Sequence, residues 1–104
     1  MSESQILKTI KSVAWQLFPD CRVILFGSRA RQDVKNDSDY DILLIIDKTL
    51  TPSEKIPLRT QLKKSLLKYQ ILSDILIQSE KEVRVKSKLT GHIVKTIMRE
   101  GIAI

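Results

Sequence analysis

Two short apolar runs, VILF at 23–26 and ILLII at 42–46, constrain this chain more than any other feature. A membrane-spanning helix takes about 20 apolar residues, so neither run crosses a bilayer. Their β-branched content suits strands buried on both faces. Each run also adjoins residues that carry chemistry: Gly27-Ser28 follows the first, and Asp39-Tyr40-Asp41 leads into the second.

The flanking sequence reads mostly as helices. Ile6, Leu7, Ile10, Val13, Ala14 and Leu17 recur at helical spacing over 4–18, with Trp15 at the edge of that face. Ser2 and Gln5 offer a capping box, and Pro19 marks the stop. The first strand is expected over 21–26. A polar stretch follows at 29–38, with Val34 its one large apolar residue, read as one or two helical turns and then a loop. The second strand is Tyr40–Ile46, and a loop covers 47–53. Thr51-Pro52-Ser53-Glu54 offers another capping box, but Pro57 would kink a helix, so the next helix is expected from about Leu58. Its buried stripe is Leu58, Leu62, Leu66 and Tyr69. A third strand is expected over 71–78. Beyond it two readings stay open: Val83 and Val85 alternate as in a strand, whereas Leu89, Ile93 and Ile97 repeat as in a helix. Gly101 would stop that helix, and 102–104 would add a short edge segment.

This order predicts an α/β (α+β) fold, a small mixed β-sheet with helices packed on it. The 104 residues suit a single domain over 1–104. A domain of this size buries a modest share of its surface, so assembly with itself or with another chain would add stability.

The formal net charge is +6, and all of the excess lies in the second half. Residues 1–50 hold seven basic and seven acidic side chains, whereas 51–104 hold eleven against five. Such an excess attracts nucleotides, nucleic acid or an acidic protein, although solvated helix faces carry it equally well. Lys63-Lys64 and Lys86/Lys88 read as such faces. With two Phe, two Tyr and one Trp, a stacking platform for single-stranded bases is not expected. Cys21 is the one cysteine, so no intramolecular disulfide forms, and with no export signal visible the expected compartment is the cytoplasm. His92, the one histidine, has no metal-ligand spacing and reads as a surface or capping residue.

Asp39 and Asp41 stand at i and i+2, so in an extended strand they share a face with Cα atoms about 6.5–7 Å apart. Two carboxylates so placed converge on hard divalent ions, and Mg²⁺ fills its other positions with water and substrate phosphates. Asp74 interrupts the apolar stretch 71–77, where a solitary buried charge would be costly. If its strand lies beside Tyr40–Ile46, Asp74 faces the first pair, and a metal site accounts for all three carboxylates together. Gly27 leaving a strand lets backbone approach a phosphate, Ser28 adds a hydroxyl, and Arg29 and Arg31 could reach the same triphosphate. Tyr40, between the two aspartates, should face the core. Taken singly, a Gly-Ser pair is usually a turn and Asp-x-Asp a solvated strand end; their joint occurrence after two apolar strands is harder to dismiss.

The spacing Gly27-Ser28, ten residues, Asp39-x-Asp41 resembles the DNA polymerase β-like nucleotidyltransferase superfamily. The run GSRARQDVKNDSDYDILLII is similar to its minimal nucleotidyltransferase (MNT) branch, although members often carry glycine where this chain has Gln32. The resemblance implies a two-metal transfer of AMP from ATP with release of pyrophosphate. Asp39 and Asp41 would hold two Mg²⁺ ions, and Gly27 and Ser28 would cradle the β- and γ-phosphates. Asp74 would bind the catalytic ion and accept the proton of the attacking hydroxyl. MNT proteins are also frequently antitoxins paired with a HEPN-domain toxin, which they adenylylate, so the resemblance implies a HEPN-type partner and only an indirect link to nucleic acid. Two alternatives stay open: a non-catalytic antitoxin of the same fold, and transfer to a small molecule or an RNA end.

Overall fold

The computed structural model describes residues 1–31 and 39–104. Residues 32–38, which include Gln32 and the expected loop, lie outside the described residues. The element order is α1 (Glu3–Leu17), β1 (Arg22–Phe26), α2 (Gly27–Arg31), β2 (Tyr40–Ile46), α3 (Pro52–Leu67), β3 (Ser73–Ser79), α4 (Glu80–Lys86), α5 (Ile93–Glu100) and β4 (Ile102–Ala103). The strands form one sheet in the order β3-β2-β1-β4. β1 is antiparallel to both β2 and β4, and β2 is parallel to β3. Parallel neighbours need a long crossover, and α3 supplies it. The mixed sheet with packed helices is the α/β architecture expected from the sequence.

Strand alternation divides the core into two layers. On one face Tyr40, Ile42, Leu44 and Ile46 of β2 pack with Ile10, Val13 and Ala14 of α1 and Leu62 and Leu66 of α3. On the other, Leu43 and Ile45 pack with Val83 of α4 and with Val94 and Ile97 of α5. β2 is therefore covered on both sides from Ile42 onward. The short apolar runs are buried strands for this reason.

α1 begins with the reciprocal Ser2–Gln5 capping box. Trp15 lies at the margin of its buried face, where its indole N–H donates to the Cys21 carbonyl at 2.8 Å. Burial, then the charge of Asp20, pushes the Cys21 thiol up to about 11, so it packs as an inert small side chain.

Two expectations need correction, and one open reading is decided. α3 starts at Pro52, ahead of Pro57, rather than near Leu58. The Thr51–Glu54 capping box initiates it, and buried Lys55 docks its first turn on the body of the protein, so loss of one N–H at Pro57 is tolerated. Tyr69 lies past the end of α3 and is exposed rather than part of the buried stripe. Residues 80–86 are helical, not strand. The Ser79–Glu82 capping box starts α4 directly from β3, and on a helix Val83 and Val85 are about 200° apart, so one is buried and the other exposed. Their alternation imitates a strand. Among the described residues, no helix is long and apolar enough to cross a membrane.

Lys55 is 5 % exposed, and its Nζ donates to both Glu82 oxygens, at 2.9 and 3.2 Å. Lys86 approaches the same carboxylate at 3.6 Å and donates to Gln78 Oε1 at 2.7 Å. Thr49 donates to the Ser79 hydroxyl at 2.8 Å. The starts of α3 and α4 are thereby tied to the far ends of β2 and β3. Burial opposes the Glu82 charge, but the Ser79 N–H, Lys55 and Lys86 outweigh it and hold the carboxyl below the ordinary range. Its contribution to stability is complete at neutral pH and is lost as pH falls through that lowered value. Lys55→Met should cost about 2–3 kcal/mol at pH 7 by stranding the carboxylate. The difference from wild type should shrink on acidification, as read by urea denaturation across pH.

Candidate functional site

The opposite end of the sheet gathers the chemistry-bearing residues. Phe26, the last residue of β1, pairs with Asp41 of β2, and Asp41 pairs with Asp74 of β3. Phe26 and Leu76 pack in the layer beneath α4 and α5, as does Leu43. Asp41 and Asp74 precede Leu43 and Leu76 by two residues, so both face that layer, on strands about 4.8 Å apart. Asp39 is exposed one step before β2 begins.

Gly27 lies against Asp41. It leaves β1 with φ +72°, in the left-handed region that disfavours side chains, and a Cβ there would collide with the Asp41 carboxylate Oδ2. The backbone at the β1–α2 junction therefore lies directly against the carboxylate. Ser28 is half-buried in the first turn of the short α2.

Burial pushes the Asp41 carboxyl above its ordinary range, and the charges of Asp74 and then Asp39 push it further. Arg31 pulls in the opposite direction. Among the described residues, no three His, Cys, Asp or Glu side chains are grouped closely enough to hold one ion between them. The carboxylates are in charge contact without forming a closed cage. This oxygen-only, mutually repelling set fits Mg²⁺, which usually takes one or two protein carboxylates and completes its shell with water and substrate oxygens.

The structure also changes the reason for noticing Asp74. It is exposed, so the cost of a buried charge does not apply; its register opposite Asp41 is what matters. Arg29 is turned toward the other face, with its guanidinium 4.4 Å from the centre of the Tyr40 ring. Tyr40 is buried there as expected and donates its hydroxyl to Glu3 at 2.8 Å. Burial and then that hydrogen bond raise the Tyr40 phenol to about 12. No local sequence signal marked this Glu3–Tyr40–Arg29 chain, because its members come from three separate elements. His92 caps α5, its Nδ1 accepting from the Val94 N–H at 3.1 Å.

A pocket of about 380 Å³ opens beside Asp39, between the second half of α3 and the start of β3. Lys63, Lys64, Leu67, Leu72 and Ser73 line it together with Asp39. The Ser73 hydroxyl is buried without a hydrogen-bond partner among the described residues, a state that typically costs about 1–3 kcal/mol. The sequence hinted at this pocket only through a serine in an apolar strand.

A family model described as polymerase beta, nucleotidyltransferase, matches residues 8–104. Two proteins of Methanocaldococcus jannaschii, each named "putative protein adenylyltransferase", are similar to this chain. One is 35% identical over 80 residues, covering 77% of this chain and 73% of its own length. The other is 41% identical over 56 residues, covering 54% of this chain and 57% of its own length. A solved structure described as a crystal structure of a toxin-antitoxin with AMP-PNP shares the fold, with a TM-score of 0.57 at 20% identity over 99% of this chain and 72% of that one.

Gly27→Ala should lower stability by about 1–3 kcal/mol through backbone strain and the clash with Asp41. Adding Asp41→Ala should recover part of that loss, because only the clash depends on Asp41. Thermal denaturation of the two single variants and the double variant measures this coupling.

Proposed function

Because the chain belongs to the polymerase β nucleotidyltransferase family, we propose that it transfers AMP from ATP to a protein, a HEPN-type toxin, and so acts as the antitoxin of a pair. The observation that carries the reading is the contact of Gly27 with Asp41 in register with Asp74. It joins an approachable backbone, suited to phosphate, to an acidic cluster suited to metal. The relatives' name supports a protein acceptor, and the toxin-antitoxin structure with AMP-PNP supports a partner and an adenine nucleotide.

In this reading Gly27 and Ser28 receive the β- and γ-phosphates and Arg31, whose charge acts on Asp41, adds positive charge to the triphosphate, while Arg29, expected there from the sequence, stacks on Tyr40 on the other face. Asp39 and Asp41 would hold Mg²⁺, two ions in the full complex, and Asp74 would add a ligand to the catalytic ion. Bound Mg²⁺ supplies neutralisation of the phosphate charge and Lewis-acid polarisation of the phosphoryl oxygens. The acceptor oxygen bonds to the α-phosphorus as the bond to the bridging oxygen breaks. Pyrophosphate leaves with that electron pair, and Asp74 takes the hydroxyl proton. The chain contributes positioning and fixed charge rather than covalent chemistry.

The test is transfer of label from ATP radioactive at its α-phosphate to the co-purified partner in the presence of Mg²⁺. Asp39→Ala and Asp41→Ala should each reduce transfer by about 10³-fold or more, the effect of losing several kcal/mol of metal-derived stabilisation. An unlabelled partner whose neutralisation survives both substitutions would refute the proposal. A second test uses stability alone. The raised Asp41 value means that its charge opposes folding at neutral pH, and the penalty is relieved as pH falls through that value. Asp41→Asn should therefore raise the melting temperature in chelator, while added Mg²⁺ should stabilise wild type far more than the variant.

A further inference from the structure

We propose that the outer corner where α4 turns into α5 is a docking surface for an acidic amphipathic helix of a protein partner. Val85, Leu89 and Ile93 at this corner are 56%, 48% and 52% exposed and belong to neither core layer. Local geometry brings them together. Val83 is buried against the sheet, so Val85, about 200° round the helix, points to solvent. The N–H groups of Lys88 and Leu89 donate to the Val85 and Lys86 carbonyls at 3.2 and 3.1 Å. That continues the helical turning past α4 and sets Leu89 one turn beyond Val85. The His92 N–H donates to the Leu89 carbonyl at 3.1 Å, so Ile93 opens α5 one turn further on. The intervening turn stands in the open: a Cβ at Gly91 would meet nothing within 4 Å outside its chain neighbours.

The rim of this aliphatic ridge decides the occupant. Every exposed charged residue from Lys81 to Lys95 is basic. Lys81 and Lys88 stand four residues before Val85 and three after it, on its own face, and Arg84 is beside it. The acidic residues of α4 are engaged elsewhere: Glu80 pairs with Arg22 at 3.2 Å and Glu82 with Lys55 at 2.9 Å. An apolar patch with a charged rim marks an interaction surface, and its complement is an apolar stripe bordered by Asp and Glu. A helix presents such a stripe at i, i+3/i+4 and i+7. A second copy of this chain does not, because a two-fold contact would set one basic rim against another. The ridge also has no aromatic ring on which a nucleic-acid base could stack. The corner lies on the carboxylate side of the sheet, since α4 and α5 cover the layer that Asp41 and Asp74 face. From Ile93, α5 runs eight residues, about 12 Å, before Gly101 meets the Leu25 carbonyl near the end of β1. A partner docked at the corner is thus held on the side of Asp41 and Asp74 while leaving them uncovered.

The experiment titrates the isotope-labelled full chain with a designed helical peptide whose leucine stripe is bordered by Glu, and with its Lys-bordered counterpart. Single-stranded RNA and phosphatidylserine vesicles are titrated in parallel. Amide NMR shifts should move at residues 84–95 with the Glu peptide, which should bind about tenfold more tightly than the Lys peptide. Arg84→Glu/Lys88→Glu, at two exposed positions, should reverse that order. Val85→Gln/Leu89→Gln should weaken the Glu peptide by about tenfold through loss of apolar contact. ATP affinity, measured by equilibrium dialysis, should be the same in both double variants as in wild type. Shifts that map elsewhere, or a peptide order that survives the charge reversal, overturn the proposal. So does tighter binding of RNA or vesicles at the same residues, which assigns the corner to phosphates or lipid. Dimerisation that Val85→Gln/Leu89→Gln abolishes assigns it to a second copy instead. An ATP affinity lowered by either double variant makes the corner part of the nucleotide site and likewise overturns it.

Discussion

β2 is hydrogen-bonded on both sides, to β1 with Phe26 opposite Asp41 and to β3 with Asp74 opposite Asp41. It is also buried on both faces from Ile42 to Ile46, beneath α1 and α3 on one side and α4 and α5 on the other. The elements on either side are positioned by this strand. A register slip of one residue would turn Leu43 and Ile45 into the opposite layer and move Asp41 away from both Gly27 and Asp74. The hydrophobic alternation that fixes the core therefore also fixes the carboxylates, and the site needs no separate device to align it.

The two ends of the sheet are electrostatically opposite. At the far end Glu82 is compensated by Lys55, Lys86 and the Ser79 N–H, and the network anchors two helices. At the near end Asp41 lies among like charges, with Arg31 offsetting them only in part. Buried charge is tolerated in a fold when it is paired, and unpaired crowding of one sign is tolerated where a ligand supplies the missing charge. The contrast within one small sheet is between compensated charge at one end and crowded charge of one sign at the other.

Much of this was legible in local sequence. The capping boxes at Ser2 and Thr51 were visible because their partners lie three residues apart. The strand Tyr40–Ile46 was visible because an apolar run of that length has few alternatives. Pro57 misled because proline's local cost was weighed without the Lys55–Glu82 contact, whose partner lies 27 residues away. Val83 and Val85 left two readings open because two residues cannot distinguish a period of two from one of 3.6. Asp74 was singled out on an expected burial that it does not have.

Gly27-Ser28, Asp39 and Asp41 are local facts, and the phosphate and metal roles proposed for them start from those residue types. The sequence alone determined these identities, together with the strands that carry them, since strand burial is written in hydrophobic pattern. Only the tertiary structure decided that Gly27 lies against the Asp41 carboxylate, that Asp74 is its neighbour, and that Ser73, without a hydrogen-bond partner among the described residues, lines a pocket beside Asp39. These depend on pairing between strands and on the crossover of α3, contacts between residues far apart in the chain that no local propensity encodes.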